Sequence, residues 1–180
     1  MNVTFTRTAE RRYRVSLEGA GIVSSWMEPA PGYDNHLPHD MAHFVVENEL
    51  GIAGGVFGQL AAAGGFARLF QSTDERTRRK VARRGKRLAA THRGDAMLSE
   101  RMVYLACRAW NKPLPAITQL DHVLAEDIRR VCREFDAVSA IWSKLAVGES
   151  MTLVWRGSAA RTARRRQKLA SSHSRGQRFS

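Results

Sequence analysis

The sequence predicts an α+β fold: one small antiparallel sheet with four to five helices inserted between its strands. Three observations carry this. Apolar and polar residues alternate with period two in the first 28 residues, the alternation returns near residue 151, and helical spacing fills the middle. The economical arrangement pairs the N-terminal strands with a single C-terminal strand and lays the helices on one face. A length of 180 residues with 43% hydrophobic and 26% charged side chains suits one domain with its own core. Its expected extent is residues 1–156, followed by a basic, disordered tail over 157–180.

Val3 and Phe5, then Tyr13, Val15 and Leu17, place the first strands. A short extended segment over 21–27 runs into the turn-forming Pro-Ala-Pro-Gly of residues 29–32. The first helix is expected from Pro38 at its first helical position to Gly51, with Asp34 or Asn35 upstream and Asp40 in its first turn. A second, glycine-rich helix is expected over 56–69, and a third over 73–91 capped by Ser72 or Thr73. The fourth, over 95–110, has Leu98, Met102, Leu105 and Ala109 on one face and stops before Pro113. In the last helix, 121–145, Leu124, Ile128, Val131, Phe135, Val138, Trp142 and Leu145 form a continuous stripe. Such a stripe is either a central core helix or the seam of a homodimer. Met151, Leu153 and Trp155 give the closing strand.

The formal net charge of +12 is unevenly spread. Residues 67–93 carry +8, residues 156–180 carry +8, and the remainder of the chain sums to −4. Cys107 and Cys132 lie among helical apolar residues, which predicts two reduced, buried thiols rather than a disulfide framework. The N-terminus has no apolar secretory segment, and the uncharged run 50–67 holds six glycines and Gln59, poor material for a membrane span. These features predict a cytoplasmic protein.

Chemistry-capable groups gather between Tyr33 and Glu49. Half of the six histidines lie in eight residues, at His36, His39 and His43. On a helix, His39, His43 and Glu47 share one face within an arc of roughly 80°. Two imidazoles one turn apart chelate a divalent metal such as zinc, and a carboxylate one turn further on can supply a third ligand. Asp40 or Asp34 can orient an imidazole, and Asp40 or Glu49 is the candidate general base at an open metal position. The same arc, opposite Met41, Ala42, Phe44, Val45 and Val46, also fits the solvated face of an amphipathic helix. No Walker A loop, GxGxxG, GxSxG or CxxC stands in the chain.

The run LPHDMAHFVVENELG resembles a motif of small bacterial proteins with no assigned activity. Its core, His39-Asp40-x-x-His43, is similar to the zinc-binding His-Asp-x-x-His motif of the ubiquinone-biosynthesis C1-decarboxylase/scaffold family. That likeness covers five positions and implies zinc-ligand chemistry; hydrolase or lyase activity is what an open position on such a metal would support. The family's motif has a Glu twelve residues after the second His. This chain has Gly55 there, so Glu47 or Glu49 would have to substitute.

A second function class follows from the charge. Arg76, Arg79, Lys80, Arg83, Arg84 and Arg87 recur at intervals of three and four, giving one positive helix face. Arg164, Arg165 and Arg166 lie in the basic tail. Both segments suit the phosphate backbone of nucleic acid, and the absence of interleaved aromatics predicts binding without sequence preference. A third class is a non-catalytic interaction protein using the 121–145 stripe.

Overall fold

The computed structural model describes residues 1–65, 75–111 and 122–157. Strands β1 (Asn2–Ala9), β2 (Arg12–Glu18), β3 (Ser25–Met27) and β4 (Ser150–Val154) form one sheet in the order β3-β2-β1-β4. Every neighbouring pair is antiparallel. The two ends of the domain therefore meet at β1, where Phe5 lies opposite both Val15 and Met151. Period-two alternation sends Val3, Phe5, Tyr13, Val15 and Leu17 to the covered face, all fully buried. On the other face Thr4 bonds Thr152 at 2.9 Å and Thr6 bonds Ser150 at 2.8 Å.

Five helices fill the interval: α1 (His39–Leu50), α2 (Val56–Ala63), α3 (Glu75–Thr91), α4 (Arg93–Asn111) and α5 (His122–Trp142). Among the described residues, no helix is long and apolar enough to cross a membrane. Helix α1 packs against α2, α4 and α5, and its Phe44 meets Phe5, Phe57 and Trp155 edge-on. Helix α3 stands outermost, packed chiefly on α2.

Several boundaries differ from expectation. Pro38 is the N-cap of α1 rather than its first helical residue, and Asp34 caps a turn, accepting the N–H groups of His36 and Leu37. Helix α2 ends at Ala63 instead of 69, because Gly64 takes the left-handed conformation that closes a helix (φ 80°). The buried stripe of α4 is Ser99, Met102, Val103 and Ala106, so the helix is rotated from the expected face and Leu98 is exposed. In α5, Ile128, Val131, Phe135, Val138 and Trp142 are buried within this one chain, which makes the stripe core rather than seam. The cap positions Ser72 and Thr73 and the tail 158–180 lie outside the described residues.

Candidate metal centre

The His/Glu arc of α1 is exposed only at its start, at His39. Glu47 is 0% exposed and His43 only 4%, because α2, α4 and α5 all pack on α1, while Phe44 and Asp40 meet the sheet at Phe5 and Tyr13. An isolated helical wheel cannot show that cover. A buried carboxylate needs hydrogen-bond donors, and Glu47 has three. The N–H of Val56 donates to Oε1 and that of Phe57 to Oε2, each at 2.8 Å. The Ser99 hydroxyl donates to Oε1 at 2.7 Å. The first two are the opening amides of α2, whose N-cap, Gly55, has no side chain to bond them. Glu47 thus caps the next helix from the previous one, and its charge faces the positive end of that helix dipole.

Ser99 passes this arrangement on to His43, whose Nδ1 lies 3.1 Å from the serine Oγ. A hydroxyl has one proton, and here it points to Glu47. The serine oxygen is therefore left to accept from Nδ1–H, which in a neutral imidazole puts the lone pair on Nε2. That Nε2 faces Glu100 Oε2 at 3.5 Å. The His39 ring stacks on that of His43, with centroids 4.6 Å apart and planes 8° from parallel. One ligand atom from each of His39, His43 and Glu100 lies within 4.8 Å of the others. A tetrahedral metal at about 2.0–2.1 Å from its ligands needs them about 3.3 Å apart. The His43–Glu100 pair is already near that spacing, and the exposed side chains of His39 and Glu100 are free to close the remainder.

Burial lowers the His43 pKa, but the hydrogen bonding toward Glu47 and the charges of Glu100, Glu47 and Asp40 outweigh it, so the net shift is upward. The 3.6 Å separation of Nδ1 from Glu47 Oε1 is an ion-pair distance, with Ser99 as the nearer partner.

The remaining expected residues are placed elsewhere. Asp40 is half-buried and takes a 2.7 Å hydrogen bond from the Tyr13 hydroxyl, which ties it to the sheet. Burial raises its pKa against the opposing effects of that bond and of His39 and His43. Glu49 pairs with Arg130 of α5 at 3.3 Å, and His36 is exposed in the Asp34 turn. Asp40 lies near enough to His39 and His43 for their charges to act on it, while Glu49 faces α5. Gly55 lies against the Glu47 carboxylate so closely that a Cβ would overlap it. The space beside the backbone at 55 is thus filled by Glu47. Ser99 and Glu100 escape a sequence reading that starts from α1, since they come from α4. The one signal was a serine in register with Met102, Val103 and Ala106 on a buried stripe.

Arg76, Arg79, Lys80, Arg83, Arg84 and Arg87 line a single depression along α3 and are all exposed. Arg164, Arg165 and Arg166 lie outside the described residues. Cys107 and Cys132 are free and half-buried, and burial is the main cause of the raised pKa of each thiol.

Fold and site together define an α+β protein with a two-histidine, one-carboxylate cluster between helices α1 and α4. Comparison of the chain with protein-family models, with curated proteins and with solved structures gave no match.

Proposed function

We propose that this protein binds a zinc-like divalent metal through His39, His43 and Glu100, with Ser99 and Glu47 orienting His43 from behind. The observation that carries the reading is the Glu47–Ser99–His43 hydrogen-bonded chain, which holds a buried imidazole by Nδ1 and turns its Nε2 toward Glu100. Metal-binding histidines characteristically have their second nitrogen held in this way. Three protein ligands leave one position for water or substrate, and a bound metal supplies Lewis acidity there, which suits hydrolase or lyase chemistry. His39 and Glu100 are exposed, so that position is reachable from solvent. Two free thiols fit a cytoplasmic protein.

The test is metal content and uptake for protein purified without a histidine tag. The parent is expected to take up about one equivalent of zinc, or of cobalt with a tetrahedral visible spectrum. His43→Ala and Glu100→Gln should bind at least about tenfold more weakly, on the scale of losing a ligand or its support. Glu100 is exposed, so its variant keeps the fold even if His43→Ala does not. A parent that takes up no metal, or a Glu100→Gln variant that binds as tightly, overturns the assignment.

A further inference from the structure

We infer that the outward face of α3 is a docking surface for the phosphate backbone of a nucleic-acid duplex, held by Lys80, Arg83, Arg84 and Arg87. The four residues recur at intervals of three, one and three, and all are exposed. Seven residues of helix rise about 10 Å, so they form one compact cationic stripe. Among the described residues none of the four has an acidic partner. The only acid of the helix, Glu75, sits at its start and pairs with Arg79 at 2.8 Å and Arg78 at 3.7 Å.

The chain offers little of its own to neutralise the stripe. Residues 66–74 and 112–121 contain one acid each, Asp74 and Asp121, and residues 158–180 contain none beside seven arginines and lysines. Four like charges held within about 10 Å repel one another, and an external polyanion relieves that repulsion while releasing its own counterions.

The apolar side of α3 separates nucleic acid from membrane. Val81 and Gly85 are buried and Leu88 is half-buried, on the side where the helix packs against α2. An interfacial membrane helix needs that apolar face for the acyl boundary. Here only the cationic face is available, and it has no aromatic for stacking and no Asn or Gln for reading base edges. The contact inferred for these four cations is to phosphates, which carry no sequence information.

The experiment is fluorescence anisotropy of a short labelled DNA duplex with the full chain between about 50 and 200 mM salt, the range over which phosphate contacts are read. A variant with Lys80→Gln, Arg83→Gln, Arg84→Gln and Arg87→Gln is measured beside the parent. Glutamine has nearly the helix propensity of the residues it replaces, and unchanged circular dichroism checks the fold. A second variant with Arg83→Lys, Arg84→Lys and Arg87→Lys keeps the charge.

The expected log–log salt slope of the parent is steeper than that of the glutamine variant by about 3–4, so over this range the parent loses about 100-fold more affinity. The lysine variant should follow the parent. Equal slopes for the parent and the glutamine variant would assign binding to the tail and overturn the inference. No duplex binding at low salt also overturns it, as does binding to phosphatidylserine-containing vesicles without binding to the duplex.

Discussion

At the scale of the residue, the proposed metal site turns on how Ser99 holds His43. Its hydroxyl stands between Glu47 Oε1 at 2.7 Å and His43 Nδ1 at 3.1 Å. Ser99→Ala leaves a buried N–H facing a methyl group while Glu47 keeps both backbone donors, so the expected cost is about 1–3 kcal/mol in denaturant unfolding. Metal affinity is expected to fall by about 10–100-fold, because the imidazole is no longer held with Nε2 toward Glu100. Affinity equal to the parent's in a Ser99→Ala protein of lowered stability would make the serine structural only. The histidines were legible in the sequence because i, i+4 spacing within one helix is a local property. The carboxylate was not, since Glu100 reaches His43 from 57 positions away, and only the packing of α4 on α1 joins them. Sequence spacing offered Glu47 instead, which shares the helix face but serves α2.

At the scale of the element, that service by Glu47 fixes the corner between α1 and α2. Helix α2 has only eight residues and no capping side chain of its own, so it depends on a carboxylate lent by its predecessor. Gly55 makes this possible, since a Cβ there would overlap the Glu47 carboxylate, although its own backbone (φ −72°, ψ −173°) suits any residue. Gly55→Ala should therefore destabilise by about 1–3 kcal/mol through overpacking, and Glu47→Ala by a similar or larger amount through the lost cap and unpaired amides. The two changes should not add. In the Glu47→Ala background the alanine at 55 meets open space, and a coupling of about 0.5–3 kcal/mol is expected from a double-mutant unfolding cycle. Additive costs would place the Gly55 requirement elsewhere. Element types were legible throughout: period two found the first two strands and β4, and period 3.6 found the helices. Ends that depend on tertiary partners were not, as at Ala63, where Gly64 stops a helix whose composition would have carried it further.

At the scale of the whole molecule, the fold closes only when its two ends meet. Strand β1 is paired on one edge by β2 and on the other by β4, which arrives about 140 residues later. Just beyond β4, Trp155 reaches back to Phe44 and Phe57, and its backbone N–H bonds the Met1 carbonyl at 2.8 Å. A chain ending after Gly148 loses the pairing of β1 with β4 and this aromatic contact together. Removing a buried Trp side chain alone costs about 3–5 kcal/mol, a large part of the roughly 5–15 kcal/mol that holds an ordinary domain folded. It would also leave β1 as a bare edge, from Asn2 to Thr6, open to pairing with other chains. The expected result is a protein without a cooperative unfolding transition that aggregates during refolding. A chain ending after Gly157 keeps β4, Trp155 and the Arg156 N–H bond to Asn48 Oδ1 at 2.9 Å, and should unfold cooperatively with the parent's midpoint. Calorimetry of the two truncations decides the matter. If the longer one also loses its transition, the folded unit extends past residue 157; if the shorter one keeps it, the sheet stands without β4.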